Sequence, residues 1–589
     1  MFDDGFLQLV RGDQTSFTEN VVYIDWWAAG GLSELRPNEF VLLHEFTEKE
    51  SIALAEVEAE LFDVLVNGLN QAHCTNHSRR YWRIILGAWH QEFFFTFADR
   101  YARLKKASET FRGLKMVCID DVQNGVVLKD GTHFSKLTGS PEWETNFCSR
   151  LVRLMQKHGH LANVQIEDRK SFLQNDAHSV KIEKQSVLVR VIRRIDSLAS
   201  FFDSFSKFEL RDTYLSPKQE FLTRWRLGNF SFPRMGESAS ETSSMGVDVA
   251  MRRKLSTHLA VATGDDFFRA IASELMVEYL PANYVENFGQ LVNRASEQLR
   301  KYPAVFFTSN RFGMSDTERL LIAEKVRRGT RYVVAQHGNN YGVTFRPNVL
   351  PEEETSDLFL RWGNAFGNAD EVIGVITRGL RMPKKISKET ECVLIVGSQP
   401  PARTFRYYDW DQYYASENHT VDLVSNLAKL EQKVLYRPYR GHVFGGGATK
   451  EFELWLGQKP VALSVGRFKE ALSKSSVVVF MYDSTGFLEL LSEGRPCLQI
   501  QLRPVAHVSV HFLPLYEDMI RVGLLHEDVS SAMWILQSSE SVRGWWNSPE
   551  VIEVRESVSN ALAVKNSHIV GDLARVLKKV TLEIPLKSD

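Results

Sequence analysis

Short runs of apolar, β-branched and aromatic residues alternate along the chain with longer stretches of helical periodicity. Val21–Trp26 and Phe40–Leu43 predict strands near the start. Thr47 followed by Glu50 predicts a capping box opening a helix through about Leu69, because each side chain can reach the other residue's backbone N–H. From Tyr81 to Tyr101 apolar residues fall on nearly every helical face, which predicts a buried helix. Ala304–Thr308 predicts a buried strand, Ser315-Asp-Thr-Glu318 caps a helix running to Arg328, and Tyr332–Ala335 predicts the next strand. The rhythm returns in Cys392–Val396, Lys433–Tyr436, Val477–Phe480 and Cys497–Gln501, with helical segments such as Phe487–Ser492 between them. Strands alternating with helices predict an α/β protein with parallel sheets in both halves.

Two stretches interrupt this pattern. Glu167–Met251 is irregular and contains the Ser/Thr-rich run Gly236–Met245, which predicts a surface loop, with a lid as the functional alternative. Asp357–Lys385 carries aromatic, glycine and basic residues with Pro383 near its end, so the domain junction is expected near residue 385, dividing the chain into 1–385 and 386–589. Two domains also suit the length, since single cores stop growing near roughly 250–300 residues.

Composition narrows the class. An apolar share of 44% with 24% charged residues excludes a disordered or fibrous chain. A formal net charge of −2 supplies no global field for nucleic acid, so no nucleic-acid partner is expected and any anionic ligand must be held locally. The five cysteines, Cys74, Cys118, Cys148, Cys392 and Cys497, are scattered and never form CxxC, which argues against a disulfide framework or a structural zinc site. The opening MFDDGFLQLV is acidic where an export signal needs basic residues, and no apolar run approaches the roughly 20 residues that span a bilayer. The expected location is the cytoplasm, at most peripheral to the inner face of a membrane.

In open α/β sheets ligands bind beyond the carboxyl ends of the strands. Three such places carry chemistry. Gln336–Gly342 follows the strand Tyr332–Ala335 and presents His337, a titratable group; the same residues also suit a tight turn around a structural histidine. Tyr482–Glu489 follows Val477–Phe480 and opens a helix, where unsatisfied N–H groups with Ser484, Thr485 and Gly486 suit a phosphate, and Glu489 one turn on suits sugar hydroxyls. Plain N-capping by Asp483 or Ser484 explains the same residues. Leu435–His442 gathers Arg437, Arg440 and His442, a basic cluster for a phosphate or a solvated loop. Asp409-Trp-Asp411 fits a metal-binding DxD pattern only as a three-residue coincidence, and no metal ligand is expected.

Taken in order, His337-Gly338, Arg437-Pro438, Asp483–Glu489 and Gly494-Arg-Pro496 resemble GT-B glycosyltransferases of bacterial surface polysaccharides, in particular the capsule Kdo transferases and the CDP-glycerol glycerophosphotransferases. The resemblance covers residues 300–505. It implies two Rossmann-like domains whose parallel sheets face an interdomain cleft. It further implies a nucleotide-sugar donor, a glycan or lipid-linked glycan acceptor, no metal or other cofactor, His337 as the base, and the donor's phosphate on Arg437 and the 484–486 helix start. The Kdo-transferase likeness favours a CMP-linked acidic sugar. A Lys/Arg-Pro-His sequence of the related families stands here as Arg437-Pro438-Tyr439, which leaves Arg440 or His442 as substitutes and keeps other NDP-sugars, a CDP-alcohol and a non-catalytic sugar-nucleotide scaffold open. Asn76-His-Ser-Arg-Arg-Tyr-Trp-Arg83 with Leu86-Gly-Ala-Trp89 is similar to a motif of transferases from O-antigen gene clusters. There His77, Arg79 and Arg80, with Arg83, suit an anionic acceptor or a lipid pyrophosphate; equally they suit helix packing through Tyr81 and Trp82 beside a solvated basic face.

Overall fold

The computed structural model describes residues 5–8, 20–24, 39–41, 46–111, 114–119, 128–131, 133–134, 138, 141–161, 164–169, 206–229, 246–264, 266–299, 302–310, 315–339, 341–345, 349–364, 371–377, 392–398, 410–438, 455, 458–459, 461–464 and 467–583. The run Gly236–Met245, Asp409, residue 385, Arg440 and His442 lie outside them. Among the described residues the strands form three sheets in which every pairing is parallel.

The first sheet contains β1 (Gly5–Gln8), β2 (Asn20–Tyr23), β3 (Glu39–Val41), β4 (Lys115–Ile119) and β5 (Gln165–Arg169), in the order β3-β2-β1-β4-β5. The second contains β6 (Phe208–Arg211), β7 (Val305–Thr308), β8 (Arg331–Ala335), β9 (Leu358–Arg361) and β10 (Glu371–Val372), laid side by side in sequence. In the third, β11 (Cys392–Val396), β12 (Lys433–Arg437), β13 (Val461–Leu463), β14 (Ser475–Phe480), β15 (Cys497–Ile500) and β16 (Leu525–His526) take the order β13-β12-β11-β14-β15-β16. The chain before residue 385 thus carries two sheets. The third sheet has the Rossmann order, in which the direction of winding reverses between its first and fourth strands, here β11 and β14.

Local signals set the helices. Helix α1 (Glu48–His73) opens on the expected capping box, with Glu50 N–H donating to Thr47 Oγ1 at 3.3 Å and Thr47 N–H donating to Glu50 Oε2 at 2.8 Å. Helix α2 (Arg79–Thr110) starts at Ser78, whose hydroxyl accepts from Tyr81 N–H, and is buried on nearly all faces as its pattern predicts. Helix α3 (Asp316–Arg327) is capped by Ser315. Four more helices bear on the site and on the contacts between sheets: α4 (Pro351–Thr355), α5 (Thr485–Ser492), α6 (Pro549–Leu562) and α7 (Ile569–Glu583).

Alternation along the second sheet divides its side chains between two cores. Phe306, Tyr332, Val334 and Phe359 join the large cluster built by α1, α2 and the first sheet. Phe208, Val305, Phe307, Val333 and Leu360 face the other way, where Leu573, Leu577 and Val580 of α7 cover them. Burial on both faces explains why β7 and β8 read as apolar runs. The third sheet has its own core.

Two backbone seams join the second and third sheets. Thr344 and Val508 form an antiparallel bridge flanked by Phe345 N–H to His507 O and Ser509 N–H to Val343 O, both 2.8 Å. Elsewhere Val564 N–H donates to Trp362 O, Val375 N–H to Val564 O, and Asn364 N–H to Asn560 O, at 2.9–3.1 Å.

Candidate active site

Strand β8 ends at Ala335, and the buried Gln336 fixes the turn after it. Its amide donates to Gly338 O at 2.8 Å and accepts from Trp362 N–H at 2.9 Å, so the turn is tied to the end of β9. His337 comes next, half-buried, with its ring edge-on to Tyr341 and 5.9 Å from that of Tyr214. Tyr341 links it to α4: the phenol donates to Glu352 Oε1 at 2.9 Å and lies 2.8 Å from His337 Nδ1. A phenol has one proton; given to Glu352, it leaves the oxygen to accept from Nδ1–H and puts the imidazole lone pair on Nε2. Tyr214 and Asp212, just past the end of β6, have positive φ of 57° and 46°, a conformation uncommon for residues other than glycine.

Asn339 crosses to the third sheet. Its side-chain amide donates to Asp483 O at 2.9 Å and to Asp483 Oδ1 at 2.8 Å, while its backbone N–H donates to Thr485 Oγ1 at 3.2 Å. The segments 337–339 and 483–485 therefore touch, each at the carboxyl end of a central strand. Asp483 is buried and also accepts from Gln499, His507 and Tyr516, making it a hub of the contact. Ser484 is the N-cap of α5, accepting from Gly486 N–H at 3.1 Å. The start of α5 sits at the β11/β14 switch point, where doubly wound sheets leave a crevice. Glu489 lies one turn on, half-buried, and burial pushes its carboxyl up to about 7.

Arg437 closes β12, paired in register with Val396, which itself pairs with Phe480. Two strand spacings separate it from β14, about 10 Å. Its guanidinium lies over Phe468, 5.3 Å from the ring centroid, and donates to Ser464 O.

His77, Arg79 and Arg80 sit apart, at the start of α2. His77 stacks on Tyr81 with centroids 3.9 Å apart, and burial lowers its pKa. Arg79 pairs with Asp63 at 2.7 Å and with Glu354; Arg80 pairs with Asp357 at 3.0 Å. Behind them Arg83 grips Glu58 with two N–H groups at 2.7 and 3.1 Å, and His90 Nδ1 approaches the same carboxylate at 2.7 Å. Burial alone would raise the Glu58 carboxyl, yet His90 and Arg83 hold it down at about 2, below its ordinary 4.5. A carboxyl depressed on folding adds stability that is complete above pH 4.5 and disappears as pH falls through 2. Glu58→Gln takes the buried one of Arg83's two carboxylate partners and leaves only Glu354 at its Nε, so it is expected to cost about 3 kcal/mol in urea unfolding at neutral pH. The variant should also lose less stability than the parent between pH 4.5 and 2; parallel losses would disprove the assignment.

Sequence reasoning missed Tyr214, Tyr341, Glu352 and His507. Tyr341 stands in the same run as His337, four residues on, but Glu352 and His507 carry no local signal. Among the described residues no group of three or more His, Cys, Asp or Glu side chains converges on a common point, and no helix is long and apolar enough to cross a membrane.

No curated protein matches the chain in sequence. Among solved structures, MurG of Acinetobacter baumannii aligns at 12% identity over 50% of this chain and 79% of its own, with a TM-score of 0.30. The UDP-GlcNAc 2-epimerase of Methanocaldococcus jannaschii, in complex with UDP-GlcNAc and UDP, aligns at 11% over 50% and 81%, TM-score 0.31. UGT71G1 of Medicago truncatula, complexed with UDP-glucose, aligns at 12% over 82% and 95%, TM-score 0.19. Likenesses this low carry no argument about activity. A family model is decisive: it is described as LIC12162 family transferase, it matches residues 33–577, and the chain belongs to that family.

Proposed function

We propose that the protein is a GT-B type glycosyltransferase that moves a sugar from a nucleotide-activated donor to a glycan or lipid-linked glycan acceptor of a surface polysaccharide. Residues 1–385 take the acceptor and 386–589 the donor, in the cytoplasm at the membrane's inner face. The observation that carries this reading is the direct contact of Asn339 with Asp483 and Thr485, which sets an imidazole and a helix N-terminus at the mouths of two parallel sheets. An acceptor hydroxyl gives its proton to His337 Nε2 as its oxygen attacks the anomeric carbon. The bond from that carbon to the donor's phosphate breaks, and its electrons leave with the nucleotide. The departing phosphate is stabilised by the positive end of α5, with Ser484, Thr485 and Gly486, and by Arg437 with Arg440 and His442. Glu489, desolvated near the start of that helix, accepts from hydroxyls of the donor. The resemblance of Asp483–Glu489 to Kdo transferases favours a CMP-linked acidic sugar.

Thermal unfolding with CMP, CDP, UDP, GDP and dTDP tests the donor site. A nucleotide present at 100 times its Kd adds about 2.7 kcal/mol, so one base should raise the apparent Tm and the others should not. Arg437→Ala is expected to weaken the affinity about tenfold, the effect of losing one charge-assisted contact, which at the same nucleotide concentration cuts the gain to about 1.4 kcal/mol. If no nucleotide moves the transition, the donor assignment is wrong.

A further inference from the structure

The proposed reaction makes no use of the arginines in Asn76–Arg83. Each of them nevertheless has one partner on the same short helix. α4 carries three consecutive glutamates, each reaching a different element: Glu354 takes Arg79 and Arg83, Glu353 takes Arg361 at 2.8 Å, and Glu352 takes the Tyr341 hydroxyl at 2.9 Å. Arg80 fastens the far end of the helix, where carbonyls lack intrahelical donors; its Nε and Nη2 donate to Thr355 O at 3.0 and 2.7 Å. Gln91, also on α2, donates to Val349 O at 3.1 Å, just before the helix begins.

The second part of the motif acts on the same contact. A Cβ at Gly87 would lie 3.2 Å from Pro351 Cβ and 2.8 Å from Arg83 Cδ, so only glycine lets α4 sit this close without displacing the arginine. A five-residue helix has almost no stability of its own, and its place is set by what grips it. The grip comes from α2 on one side, and the other side of α4 presents Glu352 to Tyr341 and, through the phenol, to His337 Nδ1.

We infer that the motif of α2 is a positioning device: Arg79, Arg80, Arg83 and Gly87 fix α4 so that Glu352 and Tyr341 hold His337 as a single tautomer, protonated on Nδ1. Arg79 and Arg80 then serve the reaction through α4 rather than by touching a ligand. The role in catalysis rests on His337 being the base; the geometry of the imidazole does not.

The test reads the imidazole without substrate. Full-length protein labelled with ¹⁵N-histidine gives long-range ¹H–¹⁵N spectra in which His337→Ala identifies the His337 signals. At alkaline pH the parent should show a protonated Nδ1 and an unprotonated Nε2. Glu352→Gln is expected to lose that pure tautomer, and so are Arg79→Ala, which removes one clamp, and Gly87→Ala, which wedges α4 without removing a charge. Arg79→Lys should keep it, whereas a role in general stability would lower the urea midpoint and leave the spectrum unmoved. An unchanged His337 spectrum in both Arg79→Ala and Gly87→Ala overturns the inference. A spectrum that responds while His337→Ala still turns over supports the positioning and refutes only the base.

Discussion

His337→Ala is expected to lower turnover by about 10²–10⁴-fold, the usual contribution of a positioned general base, equivalent to about 2.7–5.5 kcal/mol of the barrier. The loss should fall on kcat. His337 belongs to the second sheet, while the proposed phosphate contacts belong to the third, so the nucleotide-induced rise in Tm should persist in the variant. Tyr341→Phe is informative beside it: it removes the bridge to Glu352 but leaves the imidazole in place, so an intermediate loss is expected. Turnover close to that of the parent in His337→Ala would remove the imidazole from the chemistry and leave the base to be sought among Tyr214 and its neighbours.

Gly363→Ala is expected to be among the most damaging small substitutions in the chain. A Cβ there would lie 1.9 Å from the carbonyl oxygen of Ala561 and 2.5 Å from the N of Leu562, inside the backbone of the last turn of α6. No side chain can rotate away to relieve it. The helix must withdraw, breaking the bonds from Val564 N–H to Trp362 O and from Asn364 N–H to Asn560 O that join the second sheet to the third. A cost of about 3 kcal/mol or more is expected for an overpacked contact between two backbones. Gly544→Ala is the control. A Cβ at Gly544 meets nothing within 4 Å, and alanine in a helix interior is favoured over glycine by about 0.5–1 kcal/mol. Equal urea midpoints for the two variants would show that the seam yields.

How legible each part was depends on the range of the interaction that sets it. Capping boxes act over three residues, so the start of α1 could be read from Thr47 and Glu50 alone. Val305–Thr308 and Ser475–Phe480 could be read because strands buried on both faces need apolar residues throughout. Near the start the pattern overran the strand, since Ile24 continues the apolar run while β2 ends at Tyr23. The meeting of Asn339 with Asp483 spans 144 residues, and only the strand-end rule pointed toward it. The carboxylates Asp63, Glu58, Glu354 and Asp357 come to the basic run of α2 from other segments, so spacing within that run carries no sign of them. Glu352 is one of three adjacent glutamates, and nothing local separates it from its neighbours.

The packing of α7 against the second sheet also bears on how the chain is made. Leu573, Leu577 and Val580 cover a face formed by β6 to β9, whose last strand ends at Arg361. On a ribosome adding about 5–20 residues per second, that greasy surface waits some 10–45 seconds for its cover. During that interval it can be shielded only by a chaperone or by non-native collapse, and trimming the nascent product before residue 569 would leave the surface bare for good.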